Sequence, residues 1–341
     1  MSVDARVSIV VPVRNAERTI GDCISSLLRL RYPAARREII VVDNGSSDAS
    51  CELIRGFPVR FVSEPRRGPS WARNAGVERS AGDIIAFIDA DCIAATRWLC
   101  SLVAAFTDPT VSAVAGEILA YPPHSWAEYY MARRKSHWQR AALAAERPYI
   151  VSANFAVRRA ALDRIGLFDP RFLIGQDQDF SWRLFAARLR VEYAPEAVVF
   201  HRHRSTTWQF VRQQAGWARG VMFLRRHYGL SWRLQDELAE YRNLLHAVGR
   251  LAVACPGGLR AGAGRAELAY RFHDALREAT RRAVTLAAYA RGRLGAIAGP
   301  APVHRHRSPR TGLARHDPRP EPAASRTGRA HPCANDGRPD D

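Results

Sequence analysis

Asp89 and Asp91 follow an apolar run in "DIIAFIDADC" (83–92), separated by Ala90 alone. Ile84, Ile85, Phe87 and Ile88 read as a strand buried on both faces, as inside a parallel sheet. Side chains two apart on a strand point to the same side, so the two carboxylates would share one small space. Like charges held that close cost stability unless something positive lies between them. Two solvated acids in a loop beyond the strand are the alternative, and Asp-x-Asp alone does not separate the two. Asp43 closes another apolar run, "REIIVVD", in the same manner.

The elements that must hold these acids alternate along the first 120 residues. Strands are expected at 7–13, 37–45, 59–64, around 84–88 and in "VSAVAGEIL". Helices are expected through "TIGDCISSLLRL", from near Asp48, through "SWARNAGVERSA" and through "TRWLCSLVAAF". Strands spaced by helices of this length predict an α/β fold with a parallel-rich sheet and right-handed crossovers. In such sheets ligands sit at the carboxyl ends of the strands, where Asp43 and Asp89 fall. Residues 121–150 read as helical and polar. Trp232, Leu238, Tyr241, Leu245 and Val248 form one helical stripe, and Leu268, Phe272, Leu276, Ala279, Ala283 and Leu286 another, with a break at "CPGGLRAGAG". The stretch from about Gly299, rich in Pro, Arg, His and Ser, is expected to be disordered.

The 341 residues, 47% apolar and 25% charged, suit a globular protein of one large domain with an appendage. Six scattered cysteines without a Cys-x-x-Cys pair read as reduced thiols of a cytosolic protein. No signal-peptide pattern opens the sequence, and the best membrane candidate is broken by His246, Arg250 and Pro256. The net charge of +18 is unevenly spread. Basic and acidic residues number 23 and 20 over 1–180, 20 and 8 over 181–300, and 8 and 5 over 301–341. Such a surface attracts polyanions, yet no zinc finger, RNP motif or heptad zipper favours nucleic acid.

In order, "VSIVVPVRNAE", "EIIVVDNGSSD", "PRRGPSWARNAG", "IIAFIDADC", "SANFAVRR", "IGLFDPRF", "GQDQDFSWRL" and "VVFHRHR" resemble the motif series of the family 2 glycosyltransferases over residues 6–220. The resemblance implies a GT-A fold: a Rossmann-like, parallel-rich mixed sheet flanked by helices. It also implies inverting, metal-dependent transfer from a nucleoside-diphosphate sugar. No Gly-x-Gly-x-x-Gly or Walker loop is present to cradle phosphates, so a cation on carboxylate oxygens is the remaining physical means of holding a diphosphate.

By the same resemblance Asp91 holds Mg2+ or Mn2+, and Asp89 serves the ribose and the metal shell. Ala90, Pro12, Arg14 and Asn15 line the donor pocket, although an aromatic is more usual where Arg14 stands. Asp43 contacts base or ribose, or else caps the following turn. Arg73 and Asn74 brace the base and diphosphate. Asp177 is the general base, with Gln176 replacing the family's usual glutamate. Asn154, Gln176, Asp179 and Trp217 fall on the acceptor side, Asp179 being equally suited to a helix N-terminus. His201 is either a metal or diphosphate contact or a satisfied structural histidine. "RQQAGWARG" departs from the Gln-x-x-Arg-Trp signature of processive synthases at Gly216, which favours single transfers.

The expected organisation is a GT-A domain over 1–230, a helical extension over 231–298 and a disordered basic tail over 299–341. The extension's arginines suit solvated faces, attachment to anionic lipid, or a dimer interface. The expected location is the cytoplasm, with peripheral attachment to the inner face of a membrane left open. The expected partners are a nucleotide-sugar donor and a glycan, lipid-linked or small-molecule acceptor. A nucleotidyltransferase of similar sheet and a basic nucleic-acid-binding protein are the rival readings.

Overall fold

The computed structural model describes residues 5–135, 138–230, 234–254 and 262–295. The expected tail at 299–341 lies outside these residues. Eight strands form one mixed sheet: β1 (Val7–Val13), β2 (Arg37–Asp43), β3 (Arg60–Ser63), β4 (Ile84–Ile88), β5 (Cys92–Ala94), β6 (Val111–Ala120), β7 (Asn154–Arg158) and β8 (Arg190–His201). Their spatial order is β3-β2-β1-β4-β7-β6-β8-β5. The first four pair in parallel, as the alternation of strands and helices predicts. β7 runs antiparallel to both β4 and β6, and β5 antiparallel to β8, while β6 and β8 are parallel.

The apolar runs of the central strands divide by parity between two cores. Val7, Ile9 and Val11 of β1 and Ile84, Ala86 and Ile88 of β4 face one side. There they meet α1 (Ile20–Leu28) and α4 (Trp98–Ala105) through Ile24, Leu27, Trp98 and Leu102. Val10, Ile85 and Phe87 face the other side. α3 (Pro69–Glu78), α7 (Arg159–Ile165) and α8 (Gln176–Ala186) cover that core. Phe87 stacks on Phe155 with ring centres 4.7 Å apart, and Phe168 on Phe180 at 4.5 Å. A strand covered on both faces needs apolar residues at consecutive positions, which explains the unbroken runs. α2 (Ser50–Arg55) follows β2, and Gly76 lets α3 approach β1, because a Cβ there would overlap Val10.

A third cluster lies beyond the sheet, where α5 (Trp126–Arg133) meets α9 (Thr207–His227) through Tyr130, Met131 and Phe210. α6 (Gln139–Leu143) lies in the connection from α5 to β7. The two amphipathic stripes fall in α10 (Leu234–Ala254) and α11 (Gly262–Gly295), except for Trp232, which lies outside the described residues. α11 packs on α5, α9 and α10, with Tyr270 and Leu276 against the third cluster. A buried carboxylate fastens it. Asp274 accepts from the Tyr130 hydroxyl at 2.9 Å, Arg250 Nη2 at 2.6 Å and Arg134 Nη1 at 3.3 Å. Part of the extension's arginine is thus consumed internally: Arg271 bonds Glu267, and the Arg282 guanidinium lies 3.5 Å from the Tyr241 ring centre. Among the described residues no helix is long and apolar enough to cross a membrane. Among the described residues Cys23, Cys51 and Cys92 are free thiols.

Candidate active site

The carboxyl ends of β1, β2 and β4 open into a cleft of about 650 Å³. Its walls come from the loop after β1, the start of α3, the turn after β4, the start of α8, the segment after β8, and Trp217 of α9. The loop after β1 is locked to the loop after β2. Asn15, with φ 51°, accepts from Ser47 N at 2.8 Å and donates its own N–H to Ser46 Oγ at 2.9 Å. Asn44 fastens the other side, donating to the carbonyls of Glu64 and Arg66 and accepting from Gly68 N at 2.7 Å. This clamp fixes the entry to α3, and with it Arg73.

Asp89 continues the parity of Ile85 and Phe87 and so emerges on the α3 side. Arg73 Nη2 donates to its Oδ1 at 2.7 Å. The Arg73 side chain is 3% exposed and that of Asp89 is 30% exposed, so the pair reaches from the protein interior to the cleft wall. Arg73 Nε and Nη1 are buried without a protein partner. β4 ends at Ile88, and Ala90–Asp91 form a turn into β5. Strand alternation therefore stops short of Asp91, yet the turn returns its carboxylate to the same cleft.

β8 brings His201 against that turn. His201 Nε2 lies 3.4 Å from Asp91 Oδ1, and Arg204 Nη2 lies 3.9 Å from Asp91 Oδ2. Burial, with His203 beside it, pushes the His201 pKa down to about 3, so the ring is neutral at physiological pH and can offer a lone pair. Burial raises the Asp91 carboxyl, with Arg204 opposing it. The Cys92 thiol is held well above the usual range by burial and by Asp91 and Asp89.

On another wall, Gly175 precedes α8 with φ 87°. A side chain there would also overlap Leu224. Only glycine meets both demands, and the result is that Gln176 and Asp177 face the cleft. Asp177 Oδ1 accepts from Gln178 N at 3.0 Å. Burial raises the Asp177 carboxyl, Arg73 counters, and Asp89 adds to the rise. The Arg73–Asp89 pair thus acts on Asp177 with opposite signs, Arg73 favouring its charged form and Asp89 its neutral form.

Of the residues singled out in the sequence, Pro12, Arg14, Asn15, Arg73, Asp89, Ala90, Asp91, Gln176, Asp177 and Trp217 line the cleft, and His201 lies behind Asp91. Asp43, Asn74, Asn154 and Asp179 stand back from the wall and bond the scaffold. Asp43 closes its own turn, accepting from Gly45 N at 3.1 Å and Ser46 N at 3.3 Å. Asn74 exchanges two bonds with the backbone of Phe168. Asn154 accepts from Trp98 Nε1 at 2.7 Å and donates to the carbonyls of Glu117 and Ala197, filling its capacity on that side. Asp179 pairs with Arg183 and accepts from Tyr228 Oη at 2.6 Å. Sequence reasoning missed the Asn44 clamp, Cys92, and the wall residues Glu128, Arg202 and Arg204. Only "FHRHR" carried a signal, a cationic run at a strand end.

The glycosyl transferase family 2 profile matches residues 8–166. Residues 8–166 belong to this family. The chain is 27% identical over 201 residues to the glycosyltransferase AglE of Haloferax volcanii, covering 57% of this chain and 66% of the relative. It is 32% identical over 228 residues to the pre-mycofactocin glycosyltransferase of Mycobacterium tuberculosis, covering 61% of this chain and 45% of the relative. The matches thus span between about half and two thirds of these relatives' own lengths. In fold it is similar to the mannosyltransferase PcManGT from Pyrobaculum calidifontis, solved with GDP-Man and Mn2+. That likeness has a TM-score of 0.51 and 21% identity, and covers 87% of this chain and 77% of the other.

The donor set of this cleft fits a divalent cation. A carboxylate oxygen and a neutral imidazole nitrogen converge at 3.4 Å, and Asp89 faces the same cleft. Arg14, Arg18, Arg202 and Arg204 on the walls add a positive field suited to a polyphosphate.

Proposed function

We propose that the chain transfers one sugar at a time from a nucleoside-diphosphate sugar to an acceptor hydroxyl, with inversion at the anomeric carbon. The observation that carries this reading is the shared cleft. Asp177, its carboxyl raised by burial, lines the same cleft as the Arg73–Asp89 pair and Asp91, and feels the charges of Arg73 and Asp89. Inverting transfer needs a base of this kind beside the acceptor, within the cavity that also holds the leaving group.

Asp177 takes the acceptor's proton as its oxygen forms the new bond to the anomeric carbon. The bond from that carbon to the diphosphate breaks with its electron pair on the departing nucleoside diphosphate. Arg73 holds Asp89 rigid, and Asp89 with Pro12, Asn15 and Ala90 seats the nucleoside. Asp43, Asn74 and Asn154 keep these walls in register from behind. Arg202 and Arg204 offer guanidinium groups to the diphosphate. Gln176 and Trp217 shape the acceptor side, and Asp179 anchors α8 through Arg183. A Mg2+ or Mn2+ ion on Asp91, with Asp89 and His201, supplies charge compensation for the diphosphate when bound. The donor and ion in the PcManGT structure are of the classes this reading requires.

The organisation that fits this activity is a catalytic domain over 1–230 carrying a helical extension over 231–298. Cell-envelope polysaccharide or glycolipid synthesis in the cytoplasm, on the inner face of a membrane, is the setting we assign. Incubation with a panel of UDP-, GDP- and dTDP-sugars, with proton NMR of any product, tests the reading. The expected result is nucleoside diphosphate release and a product of inverted anomeric configuration. Retention of configuration contradicts it.

A further inference from the structure

The strand pair β5/β8 sets a third donor beside Asp91 and His201. Cys92 is directly opposite His201 in the antiparallel register, and residues paired in that way point to the same face of a sheet. A carboxylate oxygen of Asp91, Sγ of Cys92 and a ring nitrogen of His201 all lie within 4.8 Å of one another. Ligand atoms sharing one zinc-sized ion at bond lengths of about 2.0–2.3 Å lie at most about 4.4 Å apart. Small rotamer adjustments therefore close the set. Cys92 and His201 are buried, so the partners of any ion held there are shielded from water. A thiol is a poor ligand for Mg2+ and a good one for borderline or soft ions.

We infer that Asp91, Cys92 and His201 form one site for a thiophilic divalent cation such as Zn2+, Co2+ or Cd2+, and that such an ion competes there with the activating one. The competition rests on the transferase reading above; the three-donor site stands on its own geometry. On binding, a metal–sulfur bond replaces the S–H bond of Cys92, and the proton passes to solvent. Cys23 is the natural control. Its buried sulfur lies 3.7 Å from the Asp89 carbonyl oxygen, close to the site but outside the three-donor set.

The full chain, stripped with a chelator and dialysed, is titrated with Co2+ alone. The expected result is a near-ultraviolet sulfur-to-cobalt charge-transfer band that saturates at one equivalent. Cys92→Ser loses the band and Cys23→Ser keeps it. Cd2+ is expected to bind the wild-type chain at least about tenfold more tightly than Mg2+, an advantage that Cys92→Ser removes. Failure to bind Co2+, binding by equilibrium dialysis without the band, or a band that persists in Cys92→Ser overturns the inference. The wild-type and Cys23→Ser spectra decide the matter if Cys92→Ser does not fold. No band, with Mn2+-enhanced nucleotide binding intact, rejects the thiolate site and leaves the transferase reading standing. A band without nucleotide binding does the reverse.

Discussion

Asp177 is pulled two ways. Burial favours its neutral form, the Arg73 guanidinium favours its charged form, and Asp89 sides with burial. Burial is the largest of these influences, so the carboxyl titrates above the ordinary range. The turnover rate is accordingly expected to rise with pH through a pKa higher than that of a free aspartate, and Asp177→Asn is expected to abolish that limb. The variant should lower kcat by about 10²–10⁴-fold, the usual worth of a general base, and leave nucleotide affinity unchanged. The stability sign is opposite. A carboxyl with a raised folded-state pKa contributes stability only at low pH and loses it as pH rises through that pKa. At neutral pH Asp177→Asn should therefore stabilise the fold, by on the order of 1 kcal/mol, read as a Tm rise of about 2 °C. Asp89, Asp91 and Asp177 were legible in the sequence, since each follows a recognisable strand or stands in a recognisable motif. The work of Asn44, Asn74 and Asn154 was not. Each bonds residues at least 20 positions away, and local pattern contains no trace of such partners.

Among the elements, β1, β2 and β4 were readable because both of their faces are buried and the apolar runs are continuous. β5 is three residues long and β7 five, and β7 is reversed between β4 and β6. Strands that short carry too little period to distinguish from a loop, and pairing direction leaves no mark on composition. Strand alternation was expected to carry through Asp89 and Asp91; β4 ends at Ile88 instead, and a turn at 90–91 brings Asp91 to the cleft that Asp89 also lines. The start of α8 depends on Gly175, whose φ of 87° and closeness to Leu224 both exclude a side chain. Gly175→Ala should lower stability by about 1–3 kcal/mol through backbone strain and overlap. Because Gln176 and Asp177 follow directly, kcat should fall by more than the loss of folded protein explains. Thermal melting and kcat at a temperature where the variant is fully folded separate the two effects.

Over the whole molecule, the +18 charge resolves into distinct jobs. Some arginines line the cleft, and others join α10 and α11 to the region of α5. Asp274 gathers Arg250, Arg134 and the Tyr130 hydroxyl, and Tyr270 and Leu276 pack into the cluster that also carries Trp217. The extension thus packs on the cluster behind Trp217 of the cleft, and amphipathic periodicity announced a packed face without naming the surface covered. Asp274→Ala should cost about 2 kcal/mol. That is below the 3–5 kcal/mol typical of a broken buried pair, because Arg250 and Arg134 are half-exposed and regain water. Thermal melting and the rate of tryptic cleavage in α11 report it. On the proposed function the acidic turn after β4 holds a cation for a nucleoside diphosphate, which calorimetry reads without any knowledge of the acceptor. UDP, GDP and dTDP are titrated into the wild-type chain and into Asp91→Asn, each with and without Mn2+. The account predicts at least one nucleotide whose affinity rises about tenfold or more with Mn2+, a gain of about 1.4 kcal/mol, and that Asp91→Asn loses this gain while keeping its metal-free affinity. No gain for any nucleotide, or an equal gain in Asp91→Asn, contradicts it.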